Sequence, residues 1–371
     1  MKFSTSKNEL QNALQKLSKA TPSRATLPIL NSVLIDVGEE STTIKSTDLE
    51  ITVIVKLAAS IESVGSVAAP LQMLLNITNE LMDDSRLEIK VDSSNKINIS
   101  TDNGNYDIVG KPSDEFPNTP SVESKNSLSI KSEVLKEIIN TTSFAVSKDD
   151  LKPALTGVLF KFNNNSLTAV ATDGHRLVKY ENTNNDLGSN VGDVIVPKKF
   201  LNLLSVGFDV DSVQLSLGEN HLTTTIGSDQ YFTRIIDEKF PDFDSVIPKD
   251  NDKSLVVGKK ELLSAVKRVS IFSNKSTHQI ALGLKGEDVV ISTEDAEQST
   301  KANEQIKGQY QGEDITVGYN AAYLKDVLSH IGSEEITIQL KSPISAALFL
   351  PLKQKENQNL TMLLMPIRLN D

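Results

Sequence analysis

The residues that could support acid–base or metal chemistry in this sequence are few and widely separated. Asp173 and His175 lie two residues apart, so a carboxylate and an imidazole could share a proton or a metal ion there. The other His residues, His221, His278 and His330, are distant from this pair in the sequence and from one another. The chain has no Cys, which excludes thiolate metal sites, Cys nucleophiles and disulfides.

The motif around Asp173 has relatives elsewhere in the chain. Thr172-Asp173 is matched by Thr47-Asp48 and by Thr293-Glu294, whereas His175 has no counterpart. A recurring Thr and acidic residue after a strand is typical of a turn in which the acidic side chain accepts backbone N–H bonds. The sequence also lacks a Gly-rich phosphate loop, a nucleophile elbow and a convergent set of carboxylates. We therefore expect a protein that is not an enzyme and has no metal or cofactor.

Length and charge set further limits. The chain has 371 residues and a formal net charge of −11, which favours two or three domains and by itself argues against nucleic acid as a partner. No segment approaches the ~18 consecutive apolar residues of a membrane helix, and the N-terminal residues lack the apolar core of a signal sequence. We therefore expect a cytoplasmic protein with no membrane partner.

Three segments share one pattern, in which a short strand changes into a helix with an apolar stripe. They begin at Phe3, Leu128 and Leu255, so three copies spaced by about 126 residues account for the chain. The apolar residues occupy the i, i+3, i+4 and i+7 positions that form one face of a helix. The stripes are Leu10, Ala13, Leu14 and Leu17; Leu135, Ile138, Ile139 and Thr142; and Leu262, Ala265, Val266 and Val269.

Each copy continues with a second predicted helix and with strands of period two. The second helices are predicted at 69–75, 196–201 and 319–325. Alternating segments such as 87–91 and 213–217 predict antiparallel strands. Each copy is therefore expected to be an α+β layer, with two helices on one face of a mostly antiparallel sheet.

Two linkers divide the copies. Segments 110–120 and 237–248 each contain Phe-Pro followed by polar residues, and their prolines favour a stiff, defined connection. The predicted domains are 1–120, 121–250 and 251–371.

Charge is distributed unevenly among these elements. Segments 1–24, 128–150 and 255–275, which contain the first helix of each copy, carry +4, −1 and +4 and leave −18 for the remainder. The basic residues that point away from the stripes, or that begin a second helix, are Lys16, Lys19, Lys198, Lys199, Lys260, Lys267 and Arg268. These lysines and arginines could simply be solvated, but their recurrence on equivalent helices favours one common basic surface.

Several motifs resemble one known family. Residues 171–177, Ala-Thr-Asp-Gly-His-Arg-Leu, with 152–157 upstream, are similar to segments of the bacterial sliding clamps, the beta subunits of DNA polymerase III. Residues 240–242 (Phe-Pro-Asp), 27–30 (Leu-Pro-Ile-Leu) and the tail 365–369 (Met-Pro-Ile-Arg-Leu) resemble the same family, so the resemblance spans the whole chain.

The resemblance implies three tandem DNA-clamp domains of the processivity fold. In this family two chains close head to tail into a homodimeric ring, with helices lining the hole and sheets outside. Such a ring holds double-stranded DNA by closure and without sequence specificity, so a mildly basic interior suffices. The implied partners are DNA, a second copy, the replicative DNA polymerase, the clamp loader and other clamp-motif proteins. The implied DNA contacts are Arg24, Lys198 and Lys199, each of which could instead form a salt bridge with a neighbouring loop.

The resemblance also implies an apolar groove that receives a short peptide motif of these partners. His175 and Arg176 are expected to frame its entrance as hydrogen-bond donors, and Met365 suits a surface with several ligands. Ser245 replaces a basic residue frequent in the family. Without the resemblance, the same residues would fit an ordinary edge-strand core. The implied groove residues are Leu155, Thr172, Gly174, His175, Arg176, Leu177, Pro241, Val246, Leu363, Leu364, Met365, Pro366, Ile367, Arg368 and Leu369.

A dimer interface is implied at opposite ends of the chain. Tyr106, Ile271 and Phe272 match dimer contacts of the family and fit a heterologous contact that closes after two subunits. The alternative is that Ile271 and Phe272 belong to the core. A repeat-built structural or adhesion protein is the competing class; it predicts a secretion signal and no basic helical face, and the sequence meets neither expectation.

Overall fold

The computed structural model of the chain describes residues 1–22, 25, 27–120, 126–163, 165–183, 192–204 and 210–369. The chain folds into two compact units. The first unit is Met1–Ser132 with Val206–Ile235, and the second is Glu133–Ser205 with Ile236–Asp371. Among the helices of the described ranges, none is long and apolar enough to cross a membrane.

The first repeat begins with the predicted strand and helix. The side chain of Ser6 caps this helix by accepting a hydrogen bond from the Glu9 backbone N–H (3.2 Å), which satisfies one of the donors left free at a helix start. The elements are β1 Lys2–Ser6, α1 Lys7–Ser18, β2 Ser32–Val37, β3 Thr42–Thr47, β4 Ile51–Leu57, β5 Ser60–Ser63, β6 Gly65–Pro70, α2 Leu71–Glu80, β7 Arg86–Val91, β8 Lys96–Ser100 and β9 Asn105–Val109.

The second repeat has the same order of a strand, a leading helix, further strands and a second helix. Its second helix begins directly after Pro197, where a proline is tolerated. The elements are β10 Asn126–Lys131, α3 Ser132–Thr142, β11 Gly157–Asn163, β12 Ser166–Thr172, β13 Arg176–Asn182, β14 Gly192–Pro197, α4 Lys198–Leu204, β15 Ser212–Leu217, β16 His221–Ile226 and β17 Asp229–Arg234.

The third repeat follows the same plan. Its second helix is capped by the Asn320 side chain, which accepts from the backbone N–H groups of Ala322 (2.9 Å) and Tyr323 (3.3 Å). The elements are β18 Lys253–Gly258, α5 Lys259–Val269, β19 Gln279–Lys285, β20 Asp288–Asp295, β21 Thr300–Lys307, β22 Gln309–Gln311, β23 Ile315–Asn320, α6 Ala321–His330, β24 Glu335–Leu340, β25 Ala347–Pro351 and β26 Gln358–Leu364.

The leading helices bury the predicted apolar stripes. All twelve stripe residues are buried, including Thr142, whose hydroxyl donates to the Ile138 carbonyl (2.7 Å). In the first unit, α1 packs on α2 and on strands β1, β3 and β4. Each fully buried Leu of such a stripe stabilises the fold by about 1.5–3 kcal/mol. The period of 3.6 residues therefore predicts the packed faces correctly.

The first unit contains two antiparallel sheets. One sheet has the order β5-β1-β7-β8-β9, and the other has the order β10-β15-β16-β17-β4-β3-β2-β6. The pairing of β4 with β17, with Ile51 opposite Thr233 and Val53 opposite Tyr231, joins the first repeat to the second within one sheet. The strands of one repeat are thus shared between two sheets, which the single-layer expectation did not contain.

The second unit repeats this arrangement. Its sheets have the orders β14-β11-β12-β13-β26-β25-β24-β18-β22 and β21-β20-β19-β23. Strands β13 and β26 form seven residue pairs, from Arg176 opposite Leu364 to Asn182 opposite Gln358. This pairing joins the second repeat to the third, so the sheet continues across the repeat boundary here as well.

Both predicted linkers are anchored by aromatic side chains. Phe116 is buried against Ile29, Leu30 and Ala68, and the Lys45 ammonium lies 5.2 Å from the centre of its ring. In the second linker the rings of Phe240 and Phe243 meet edge to face at 6.3 Å. These contacts pack both segments against the fold, and the stiff connection expected from the prolines stays a prediction.

Candidate functional site

The segment Thr172–Arg176 forms a tight turn between β12 and β13. The Asp173 carboxylate accepts the backbone N–H groups of His175 (2.9 Å) and Arg176 (3.0 Å). The Thr172 hydroxyl donates to the Arg176 carbonyl (2.7 Å) and accepts from the Gly174 N–H (3.1 Å). Gly174 has a φ of +89°, a conformation that residues with a Cβ rarely adopt. Asp173 is therefore a turn residue, as the recurring motif predicts.

The first repeat has the same turn. The Asp48 carboxylate accepts from the backbone N–H groups of Glu50 (3.0 Å) and Ile51 (2.7 Å), and the Thr47 hydroxyl donates to the Ile51 carbonyl (2.9 Å). In the third repeat the prediction that Glu294 is the acceptor is wrong. Asp295 accepts instead, from the N–H groups of Glu297 (3.0 Å) and Gln298 (3.3 Å), because strand β20 continues through Asp295 before the chain turns.

Arg176 lies directly after the turn and is only 8% exposed. Its Nε donates to Asp173 (3.1 Å), its Nη1 to Asp326 (2.5 Å) and its Nη2 to the Phe144 carbonyl (3.0 Å). The guanidinium also lies over the rings of Phe144 and Tyr323. Arg176 therefore does not frame an entrance as a free donor, because neighbouring groups already occupy all three of its nitrogens.

His175 is exposed at the outer side of the same turn. Its ring stacks on the Tyr323 ring of α6, with the centroids 5.6 Å apart and the planes 20° apart. Its carbonyl accepts a hydrogen bond from the Met365 N–H (2.8 Å), which fixes the start of the C-terminal tail beside the turn. The structure thus brings His175, Tyr323 and Met365 together.

An apolar cluster forms next to this turn. Leu177 lies opposite Leu363 in the β13–β26 pair, and both belong to the cluster. Because strand residues alternate between faces, Leu177 points away from the side on which Arg176 meets α6. The buried members are Leu159, Val170, Leu177, Ile195, Phe243, Leu348 and Leu363, and the half-buried residues packed against them are Ala154, Ile236, Phe240, Ile247, Ala346 and Leu350.

The second linker, residues 237–248, also packs against this apolar cluster. Phe243 is buried in the cluster, and the ammonium groups of Lys161 and Lys179 each lie 5.7 Å from its ring centre. Val246, three residues later, is 56% exposed, and Pro241 is exposed as well. Leu155 ends the short helical turn Pro153–Leu155, beside Ala154 of the cluster. Three predicted groove residues are thus sequence neighbours of residues packed against the cluster: Leu155 follows Ala154, Pro241 follows Phe240 and Val246 precedes Ile247.

The C-terminal tail packs in part. Met362, Leu363 and Leu364 are buried, whereas Met365 is 41% exposed. The Ile367 N–H donates to the Gly318 carbonyl (2.9 Å), and a Cβ on Gly318 would lie 2.6 Å from the Ile367 carbonyl oxygen. Gly318 is thus required for the close approach that docks Pro366, Ile367 and Leu369, which are half-buried, while Arg368 is exposed.

The predicted DNA contacts lie at a helix start and outside the described residues. Lys198 and Lys199 are the first two residues of α4, and Arg24 lies outside the described ranges. Burial, together with the charges of Lys148 and Arg176, lowers the pKa of Lys198. Two further cations, Lys148 and Arg176, and the opposing Asp326 carboxylate are therefore close enough to the start of α4 to act on Lys198.

Some of the basic helical residues have acidic partners. The Lys16 ammonium lies 2.6 Å from the buried Asp229 carboxylate, and Arg268 makes a two-pronged contact with Glu304 at 2.7 and 2.8 Å. The basic layer expected from the helical wheel is therefore weaker than the residue count indicates.

The predicted dimer residues are exposed. Tyr106 is 36% exposed on β9, an edge strand of the five-stranded sheet. Ile271 and Phe272 lie in a short helical turn after α5 and are 77% and 42% exposed. This exposure argues against the alternative that Ile271 and Phe272 belong to the core.

Sequence reasoning missed the partners that Arg176 and His175 find in α6 and after α3. Tyr323, Asp326 and Phe144 surround the guanidinium, yet no local spacing connects them to the turn. The one available signal was an aromatic residue in the first turn of the third repeat's second helix. Within the described part of the chain, no group of three or more His, Asp or Glu residues is placed to hold a metal ion.

The fold and the site define a DNA-clamp protein. Profiles of the N-terminal, central and C-terminal domains of the DNA polymerase III beta subunit match residues 1–120, 129–242 and 244–368. The beta sliding clamp of Pseudomonas putida is 31% identical, over 100% of both chains. The crystal structure of the sliding clamp of Pseudomonas aeruginosa bound to griselimycin is 29% identical, with a TM-score of 0.92 and full coverage of both chains. That of the Bacillus subtilis clamp is 26% identical, with a TM-score of 0.93 and full coverage of both chains.

The chain belongs to the DNA polymerase III beta subunit family, the bacterial sliding clamps. Proteins of this family close as head-to-tail homodimeric rings around duplex DNA. The chain is accordingly a DNA sliding clamp: a processivity factor that works with DNA and a DNA polymerase and has no catalytic activity of its own. The inference from net charge alone, which argued against nucleic acid, is thereby overturned.

Proposed function

We propose that this clamp works through three separate surfaces: a peptide groove, the start of a DNA-facing helix, and two ends that join copies. The domain limits that we propose are 1–120, 121–250 and 251–371, and the three matched family ranges support them. The proposed location is the cytoplasm, where replication proteins of bacteria meet DNA.

The groove lies at the apolar cluster of the second unit. The observation that carries this proposal is that two exposed apolar side chains lie close in sequence to members of an apolar cluster: Val246 precedes Ile247, and Met365 lies two residues after Leu363. An exposed apolar border around a packed floor is typical of a site for a short peptide. The proposed lining is Leu155, Thr172, Gly174, His175, Leu177, Pro241, Val246, Leu363, Leu364, Met365, Pro366, Ile367, Arg368 and Leu369, with Arg176 behind it.

The proposed occupants are clamp-motif segments of the replicative polymerase, the clamp loader and other replication and repair proteins. Leu and Met side chains adapt to several ligands, which suits one groove that serves many partners. Since the Pseudomonas aeruginosa clamp was crystallised with griselimycin, we expect this chain to bind griselimycin too. Ser245 leaves the groove without the positive charge of a basic residue at that position.

The proposed DNA contacts are Arg24, Lys198 and Lys199. The charges of Lys148 and Arg176 support this proposal, because they add to the effect of burial in lowering the pKa of Lys198, against the opposing charge of Asp326, and a phosphate there would offset their repulsion. The contacts need not be numerous, since a closed ring retains DNA topologically and its phosphate contacts only have to be weak.

The proposed dimer interface joins Tyr106 of one copy to Ile271 and Phe272 of the other. Strand β9 has no strand paired on its outer side in the described sheet, and an edge strand with exposed apolar residues is a ready surface for association. The two surfaces differ, as a head-to-tail contact requires.

A topological experiment tests the function as a whole. The clamp is loaded onto nicked circular DNA, and retention is measured before and after the circle is linearised. A ring is expected to remain on the circle and to slide off the linear form, whereas equal retention on both would contradict the proposal. A strict monomer at micromolar concentration in solution would contradict the dimer interface.

A further inference from the structure

Within the second unit, a continuous stack of side chains begins at the rim of the proposed groove. The His175 ring stacks on Tyr323 at 5.6 Å, and the Arg176 guanidinium lies 4.7 Å from the Tyr323 ring centre. The same guanidinium also lies 5.1 Å from the centre of the Phe144 ring. The Phe144 ring in turn stacks on the His330 ring, with the centroids 4.1 Å apart. The order of contacts is therefore His175, Tyr323, Arg176, Phe144 and His330.

Two carboxylates hold the middle of this stack. Asp173 and Asp326 accept from Nε and Nη1 of Arg176, at 3.1 and 2.5 Å. Asp326 also accepts through its backbone carbonyl from the His330 Nδ1 (2.7 Å), so one residue of α6 contacts the stack at two places. Charge-assisted hydrogen bonds of this kind are about twice as strong as neutral ones and are directional.

We propose that Arg176 and Asp326 are positioning residues of the peptide groove, which fix Tyr323 and His175 at its rim without binding the peptide themselves. This inference rests on the proposed groove. Arg176 is buried with its nitrogens engaged, whereas His175 is exposed and carries the carbonyl that holds Met365. A rim that is already ordered loses less side-chain entropy when a peptide binds, so its affinity is higher.

The alternative is that the ion pair only stabilises the fold. The Asp326 side chain is 46% exposed but that of Arg176 is only 9% exposed, so loss of the Asp326 charge should cost some stability, limited because Asp173 still pairs with the guanidinium. A merely structural role predicts a lower unfolding midpoint with unchanged peptide affinity of the folded dimer, whereas a positioning role predicts that this affinity falls as well. This difference separates a positioning role from a merely structural one.

The test compares Asp326→Asn with Asp288→Asn in the full-length dimer. Asp288 pairs with Lys307 at 2.7 Å and has nearly the same side-chain exposure as Asp326, 45% against 46%, so it controls for loss of a half-exposed carboxylate; its partner Lys307 is 71% exposed, whereas Arg176 is 9% exposed. The probe is a synthetic peptide with a Gln-Leu-aromatic clamp motif, and binding is measured by fluorescence anisotropy. We expect affinity to fall about tenfold for Asp326→Asn and to remain unchanged for Asp288→Asn. Wild-type affinity in Asp326→Asn would overturn the proposal.

NMR spectroscopy reports the position of the His175 ring at the rim directly. The chain has only four His residues, so the ring proton resonances of His175 can be assigned and followed by NMR. The ring current of Tyr323 should shift them, and Asp326→Asn or Phe144→Leu should move them toward the position of a free imidazole. An unmoved His175 resonance in both variants would contradict the proposal.

A further variant distinguishes an error in the positioning role from an error in the proposed groove. Leu177→Ala removes a floor residue and should abolish peptide binding whatever the role of Asp326. If Leu177→Ala binds the peptide like wild type, the groove is misplaced and both proposals fall. If Leu177→Ala fails to bind while Asp326→Asn binds normally, only the positioning role is wrong.

Discussion

The turns at 47–51 and 172–176 have the same backbone hydrogen bonds but different surroundings. In both, an Asp carboxylate accepts two backbone N–H groups and a Thr hydroxyl donates to the carbonyl of the fifth residue. The third residue has a positive φ in both, +79° at Leu49 and +89° at Gly174. The fifth residue is Ile51 in one turn and Arg176 in the other.

The difference at the fifth residue separates a structural turn from one at the candidate groove. Ile51 is buried and pairs across the sheet with Thr233. Arg176 is also buried, but its guanidinium reaches two carboxylates and two aromatic rings. The repeated backbone thus supplies a rigid frame, and the side chains placed on it decide whether the frame serves packing or binding.

The largest expected effect concerns two buried residues, Ile51 at the end of the first turn and Leu177 directly after the second. Leu177→Ala and Ile51→Ala each remove a side chain that is about 2% exposed and should lower the free energy of unfolding by about 2–5 kcal/mol. Only Leu177→Ala should abolish binding of the clamp-motif peptide, because Ile51 lies in the unit without the groove. Urea denaturation and anisotropy measure the two quantities.

Dimerisation provides the control for that pair. Both variants should elute as dimers, which shows that lost peptide binding does not reflect unfolding. Peptide binding retained by Leu177→Ala, or lost in a folded Ile51→Ala, would remove the distinction between the two turns.

Local patterns explain what could be predicted from the sequence. The stripe of Leu10, Ala13, Leu14 and Leu17 lies within one helix, so its period identifies the buried face without any tertiary knowledge. The turn at Asp173 was equally predictable, because its hydrogen bonds span only two and three residues. The resemblance to a family added the groove and interface residues, which no local rule would have connected.

Long-range pairings explain what could not be predicted. Arg176 and Asp326 are 150 residues apart in sequence, and nothing in the motif around Arg176 indicates an acidic partner in α6. The joining of β4 to β17 was missed for the same reason, since strand pairing depends on edges that only the folded repeats expose. Sequence reasoning therefore expected free donor groups on Arg176, whereas its nitrogens are bonded to Asp173, Asp326 and the Phe144 carbonyl.

A smaller effect on stability is expected at the strands that follow the turns, which differ in the length of their pairing. Strands β4 and β17 form four residue pairs, against seven for β13 and β26. The shorter pairing is supplemented by Lys16, whose ammonium lies 2.6 Å from Asp229 on β17. Lys16→Met would leave that buried carboxylate without its cation and should destabilise the first unit by about 1–3 kcal/mol, measured by urea denaturation.

The double variant Lys16→Met with Asp229→Asn checks the cause. Neutralising the orphaned carboxylate should restore part of the lost stability, since the largest cost is an unpaired buried charge. Unchanged stability in Lys16→Met would mean that the four strand pairs suffice to join the repeats.

The smallest expected effect concerns the third residue of each turn. Gly174→Ala places a Cβ at a φ of +89°, where no other atom lies within 4 Å, so the cost is backbone strain alone, about 1 kcal/mol. Leu49→Gly makes the opposite change at +79° and should be neutral or stabilising by up to about 1 kcal/mol, because Leu49 is mostly exposed and loses little packing. Thermal denaturation of both variants measures the difference. If the two turns share the same backbone conformation, the changes in stability of the two variants should have opposite signs or differ by about 1 kcal/mol. Equal destabilisation in both variants would show that Leu49 is held by contacts that Gly174 does not share.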